Sequence, residues 1–234
     1  MTTDPASRPL RTFGRRRGHR LRHARSALVT ELLPALRVPA AGAIDTVGLF
    51  AAPKRSVWLE IGFGGGEHLA TLATAHPDVG FIGCEVYADG VASLLRHVDQ
   101  LGLQNLRVHD GDAREVLERL PDASLERVYL LFPDPWPKTR HHKRRLISPP
   151  VLSTLSRVLA DGGQLIFASD HADYAWWTLE RASNHPDFRS LTNGPSDWRR
   201  PGDWVESRYE AKALAAGARC FYLLFQRQTR QAAH

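Results

Sequence analysis

Between residues 57 and 226, short apolar runs alternate with helix-length segments, and this alternation leaves the chain few architectures to choose from. Val57–Ile61, Val79–Val86, Asn105–His109, Arg127–Phe132 and Gln164–Ala168 read as strands, with Arg219–Gln226 as a long late strand. Glu67–Ala75, Asp89–Leu101, Arg114–Leu120, Pro150–Ala160 and Tyr174–Asn184 read as helices. Asp161-Gly162-Gly163 reads as the stop signal of the fourth. Runs such as VYLLF lack polar alternation, as strands covered on both faces do. Strands and helices in this order predict an α/β fold, a doubly wound, mostly parallel sheet of the Rossmann-like kind. Ahead of it, residues 26–37 read as a short helix with Leu28, Leu32, Leu33 and Leu36 on one face. The expected division is a basic arm with that helix over 1–52 and one domain over 53–234.

Charge is segregated along this chain. Of 31 basic and 25 acidic residues, nine arginines fall in residues 1–37 against only Asp4 and Glu31. The rest of the chain is nearly neutral, so the N-terminal arm carries the whole net charge of +6. A solvated tail would account for some of this, but a polyanionic partner accounts for its concentration in one arm. Cys84 and Cys220 lie in separate apolar runs and read as small core residues of a reducing compartment. No stretch is apolar for the roughly 18 residues a membrane span needs, and no apolar signal core opens the chain. The expectation is a soluble, cytoplasmic protein with no membrane association.

Ligands of doubly wound sheets bind beyond the carboxyl ends of the strands. Those ends read Glu60-Ile61-Gly62-Phe63-Gly64-Gly65-Gly66, Glu85, Asp110-Gly111-Asp112, Phe132-Pro133-Asp134-Pro135-Trp136 and Ser169-Asp170. Each carries a carboxylate, and five acids on one rim are more than helix capping requires. Gly62, Gly64 and Gly66 allow a tight turn and close backbone approach to a ligand. A dinucleotide fingerprint wants Gly or Ala where Glu67 stands, and an acid at a helix mouth opposes a pyrophosphate. S-adenosyl-L-methionine has no phosphate and carries an ammonium, so Glu60 followed by the glycines fits it better. Glu85 would then meet the ribose hydroxyls and Asp112 the adenine amino group.

The segment FPDPWPKTRHHKRR over residues 132–145 sets Asp134 between two prolines and follows it with an aromatic face, Trp136. Lys138, Arg140, Lys143, Arg144 and Arg145 then fall within eight positions without an acid. An exposed basic loop is the bland account. Its place beside the rim and its shared sign with the arm point to phosphate binding. His141 and His142 are adjacent without spaced partners, so no metal site is expected. A third element, Asp203 to Lys212, lies in a polar stretch punctuated by Pro and Gly and reads as a loop returning over the rim.

Together these motifs resemble the bacterial tRNA (guanine-N7)-methyltransferase family over nearly the whole chain. LEIGFGGG is similar to its cofactor loop, FPDPWPK with RHHKRR to its most specific signature, and SRYE at 207–210 to its C-terminal T-[KR]-[FY]-E element. Ser207 replaces the usual threonine and keeps the hydroxyl. The resemblance implies a class I methyltransferase that methylates guanosine 46 in the variable loop of tRNA. It implies cofactor contacts from Glu60, Glu85, Asp112 and Asp134, and substrate contacts from Lys138, Asp170, Ser207, Arg208, Tyr209 and Glu210. It also implies tRNA binding along Arg140–Arg145 and no obligate protein partner. Three other readings compete. An amino-group methyltransferase would want a second proline after Asp134, a nicotinamide dehydrogenase is opposed by Glu67, and a catalytically silent tRNA-binding protein gains nothing from the carboxylates.

Overall fold

The computed structural model describes residues 23–192, 194, 197–202 and 204–230. Most of the arginine-rich arm, and Asp203 of the third element, lie outside the described residues. The chain begins with α1 (His23–Glu31) and a single turn, α2 (Leu33–Leu36). The one helix expected over 26–37 is thus two, because Pro34 has no N–H to continue the ladder. Then follow β1 (Ser56–Ile61), α3 (Glu67–Ala75), β2 (Val79–Cys84), α4 (Ala88–Leu101), β3 (Leu106–His109) and α5 (Ala113–Arg119). After β4 (Leu125–Leu131) come α6 (Pro149–Val158), β5 (Leu159–Ser169) and α7 (Ala172–Ser183). The described chain closes with β6 (Phe188–Ser190), α8 (Arg208–Ala215) and β7 (Phe221–Arg227).

The seven strands form one sheet in the order β3-β2-β1-β4-β5-β7-β6. The five from β3 to β5 run parallel, and β7 and β6 are added antiparallel. The sheet is doubly wound as expected, and the direction of winding reverses between β1 and β4. Alternation along β1 divides the core. Val57, Leu59 and Ile61 face α5, α6 and α7, and Trp58 faces α3 and α4. β2 is buried at every residue, as a central parallel strand should be.

Residues 33–50 pack against this body. Arg37 bridges to Val108, Ile44 N–H donates to Arg119 O at 3.0 Å, and Leu33, Val38, Ile44 and Phe50 are buried. Phe50 fills the space over Gly80, where any Cβ would collide with its ring. The aspartate-glycine stop after α6 is a correction. The helix already ends at Val158, and Leu159 is extended and paired with Leu125, so Asp161-Gly162-Gly163 lies inside β5. Gly163 belongs there because a Cβ would lie 3.0 Å from Glu126 O and 2.8 Å from Ala160 O. A second correction concerns Arg208–Ala215, which is helix rather than loop. Among the described residues no helix is long and apolar enough to cross a membrane, and both cysteines are free and buried.

Candidate active site

At the reversal between β1 and β4, two adjoining cavities of about 520 and 230 Å³ open beyond the strand ends. Ile61, Gly62, Glu85, Val86, Trp136, Arg144 and Leu146 line both. Gly64, Asp134 and Tyr209 face the larger, and Asp112 and Lys143 the smaller. Both cavities lie on the rim to which the strand-end argument points.

The glycine loop holds its shape through positive φ at Gly62, Gly64 and Gly66, at +75°, +56° and +82°. Glu85 is tied to this loop. Its Oε2 accepts from Gly64 N–H at 2.8 Å, and its Oε1 accepts from the N–H groups of Val86 and Tyr87 at 2.7 and 2.9 Å. Burial raises its carboxyl above the ordinary value, with those three donors pulling the other way and the charge of Asp134 adding to the rise. A carboxylate offers about four lone-pair sites, so Glu85 keeps room for another donor, such as a ribose hydroxyl. Gly90, in the first turn of α4, is a contributor the sequence reading passed over. A Cβ there would sit 2.3 Å from Gly64 O, so the helix must present glycine to the loop.

Asp112 caps α5, accepting from Arg114 N–H at 3.0 Å, and its carboxylate also holds the Arg114 guanidinium. It still borders the smaller cavity. Glu60 turns elsewhere: it receives His68 Nδ1 at 2.8 Å, both groups are buried, and together they line a narrow crevice beside Glu67, Arg208 and Tyr209. Asp110 pairs with Arg37 at the outer edge. Of the strand-end acids, Glu85, Asp112 and Asp134 border the cavities, and Asp170 is exposed outside them.

The loop carrying Asp134 is held between two non-glycine residues with left-handed backbone, Phe132 at φ 49° and Trp136 at φ 44°. Strain of this kind persists where the surroundings over-determine it; here Phe132 N–H donates to Ala168 O at 2.7 Å. Asp134 is exposed to the larger cavity, and the Arg144 guanidinium lies over the Trp136 ring at 4.8 Å. Lys138, Arg140 and Lys143 are exposed along the turn Thr139–Arg144. Arg145 corrects the reading of a uniform basic loop. Its side chain is 0% exposed, stacked near Tyr174 and Trp177, bonded to Pro135 O at 2.9 Å and paired with Asp173. The final element splits similarly: Arg208 and Tyr209 are exposed, whereas Ser207 and Glu210 are buried in a reciprocal N-terminal capping box of α8.

Residues 54–223 match the family described as "Putative methyltransferase". A tRNA (guanine-N(7)-)-methyltransferase of Rhodospirillum rubrum is 52% identical over 228 residues, covering 95% of this chain and 89% of the relative. Its counterpart in Paramagnetospirillum magneticum is 49% identical, covering 95% and 94%. Among solved structures, the 16S rRNA methyltransferase KamB superposes with a TM-score of 0.53 at 16% identity, covering 75% of this chain and 89% of that one. An O-methyltransferase of Thermotoga maritima does so at 0.51 and 13% identity, covering 91% and 68%; both share the fold. With a switch-point cavity walled by carboxylates and relatives this similar along almost the full length, the chain belongs to the bacterial tRNA (guanine-N(7)-)-methyltransferase family.

Proposed function

We infer that the protein methylates N7 of guanosine 46 in the variable loop of tRNA, forming 7-methylguanosine, with S-adenosyl-L-methionine as donor. The observation that carries this reading is the pairing of an acid-walled cavity with an exposed basic turn on its lip. The two adjoining cavities, the glycine cradle and the spare acceptor capacity of Glu85 fit that cofactor. Glu85 and Asp112 would hold the adenosyl part, while Gly62 and Gly64 leave the backbone clear beside it. When bound, the cofactor would supply an electrophilic methyl group on a sulfonium, with the carbon–sulfur electron pair left on sulfur and the N7 lone pair as acceptor of the methyl.

N7 is a bare acceptor without a proton, so the chain need supply no general base. Its contribution is to align the base with the donor and to stabilise the cation that passes from sulfur to the guanine ring. Asp134, exposed in the cavity and fixed by the prolines on either side, serves the second task and orients the guanine edge. Lys138, Arg140, Lys143 and Arg144 hold phosphates and give salt-dependent affinity with little choice of base. The arginine-rich N-terminal arm adds to that affinity. Acting on tRNA, the enzyme works in the cytoplasm.

The test is transfer from labelled S-adenosyl-L-methionine to unmodified tRNA, followed by digestion to nucleosides. Labelled 7-methylguanosine is expected. Label in another nucleoside would overturn the base assignment, and tight tRNA binding without transfer would point to a silent binding protein.

A further inference from the structure

Ser207, Arg208, Tyr209 and Glu210 resemble a substrate-contacting set, yet the fold divides them. Glu210 is 0% exposed, and donors meet both of its oxygens. Tyr222 Oη donates to Oε1 at 2.5 Å, and Arg200 Nε lies 3.0 Å from the same oxygen. Trp204 Nε1 donates to Oε2 at 2.6 Å, and Ser207 N–H reaches it at 3.3 Å. Three hydrogen bonds and the ion pair with Arg200 occupy both oxygens of this buried carboxylate, so Glu210 turns inward and not toward a guanine edge. Ser207 Oγ is likewise engaged, accepting from Glu210 N–H at 3.2 Å.

Tyr209 projects from the turn that this network fixes. It is 51% exposed, it lines the larger cavity with Asp134 and Glu85, and its ring lies so close to Gly64 that a Cβ there would sit 2.6 Å from Cε2. The only buried residues of α8 are Glu210 and Ala213, so apolar packing hardly anchors the helix. A buried carboxylate is costly to desolvate and is best accounted for when it fixes one arrangement among several.

We propose that Tyr222, Trp204 and Arg200 are positioning residues that act through Glu210 to hold Tyr209 as a wall of the methyl-transfer cavity, against Gly64. This rests on the methyl-transfer reading. The network sets how well the target base is oriented, and leaves the affinity for tRNA to the phosphate-binding loop.

A double-mutant cycle on kcat tests this, with Tyr222→Phe, Tyr209→Ala and the double variant, all assayed on unmodified tRNA well below their melting temperatures. Tyr222→Phe keeps the ring that packs edge-on to Trp204, at 5.0 Å between centroids, and removes only the donor. The expected result is a loss of about tenfold in kcat with the tRNA Kd unchanged, a larger loss in Tyr209→Ala, and no further loss in the double variant. Losses that multiply, or wild-type kcat in Tyr222→Phe, would overturn the proposal, because a merely structural hydroxyl does not act through Tyr209. If Tyr222→Phe fails to fold, Trp204→Phe removes a different donor to the same carboxylate and completes the cycle. The wild-type product separates the two claims. A wild-type enzyme yielding 7-methylguanosine with multiplying losses sinks the positioning role alone. One yielding another methylated nucleoside sinks the base assignment, while the cycle still decides the role of Tyr222. A wild-type enzyme without transfer overturns both.

Discussion

Arg145 stands in a run of cations and is the one among them whose side chain the fold encloses, so its replacement separates folding from RNA binding. In Arg145→Ala the hydrogen bond to Pro135 O disappears; a bond from a charged donor contributes about 1.5–3 kcal/mol. The guanidinium also lies 4.8 Å from the Tyr174 ring centre and 5.0 Å from that of Trp177, contacts of about 1 kcal/mol each in a partly dry site. The ion pair with Asp173 adds less than about 1 kcal/mol, because Asp173 is 56% exposed and stays hydrated when its partner goes. These contributions share one cation and are not additive; about 3 kcal/mol is the expected loss, or roughly 6–12 °C of melting temperature for a chain of this size. Circular dichroism melting measures the first quantity. The second is the slope of log affinity for tRNA against log salt. It should match wild type in Arg145→Ala, and should shrink by about 0.7–0.9 in Lys143→Ala, the change expected for one lost phosphate contact. An Arg145→Ala protein that melts like wild type but shows the shallower slope would refute the argument, since Arg145 would then be reaching RNA.

Asp134→Ala should lower kcat by at least about a hundredfold while filter binding shows tRNA affinity close to wild type; wild-type turnover would remove Asp134 from the mechanism. Burial raises the Glu85 carboxyl above its ordinary value, so acidification should neutralise it, and weaken binding of S-adenosylhomocysteine, at a higher pH than an exposed glutamate would. Calorimetry across that range checks the sign, and Glu85→Gln should bind weakly at every pH, with this step gone. Gly90→Ala should force α4 and the glycine loop apart, since its Cβ falls 2.3 Å from Gly64 O. A rise of about tenfold in the cofactor Kd is expected, about 1.4 kcal/mol, and an unchanged Kd would show that the loop yields freely.

The sequence was most legible where burial is complete. Central parallel strands are apolar without alternation, and so the five parallel strands and the α3 and α4 segments could be placed from pattern alone. Errors arose where a local signal had two meanings. Asp161-Gly162-Gly163 looks like a helix stop, but tertiary pairing draws Leu159 into the sheet and turns the glycines into an irregularity of β5. Ser207-x-x-Glu210 is a capping-box pattern, and it could have announced α8. The polar surroundings masked it, and the short edge strand β6 left no mark. In the site, the end of each strand is legible in the sequence, whereas the direction of each acid depends on its face of the strand. Glu60 shares the face of Trp58, so period-two alternation alone sends it toward α3 and His68. Arg144 and Arg145 are indistinguishable by composition. What separates them is that the turn ends at Arg144 and the chain becomes extended at Arg145, which swings the second guanidinium beneath Trp177.

On the proposed function, the arrangement of charge in this protein follows the path of charge in the reaction. On the proposed reading, a positive methyl donor sits next to the carboxylates of Glu85 and Asp134, a positive guanine forms there, and a polyanion is held within reach but outside; both carboxylates line the larger cavity. Acids lining the cavity and cations along the neighbouring turn satisfy both demands only if the two sets do not neutralise one another. The fold gives neighbouring charges structural partners, with Asp173 on Arg145 and Asp110 on Arg37, while Asp134 faces the cavity and Lys138, Arg140 and Lys143 are exposed along the turn. At an effective dielectric constant near 20, one carboxylate about 5 Å from a unit positive charge is worth about 3 kcal/mol. That is about a hundredfold in rate if the interaction is stronger in the transition state than before it. A base whose N7 carries no proton needs little more than this from the enzyme. On that reading the site works through geometry, in the left-handed backbone that brackets Asp134 and the buried network behind Tyr209.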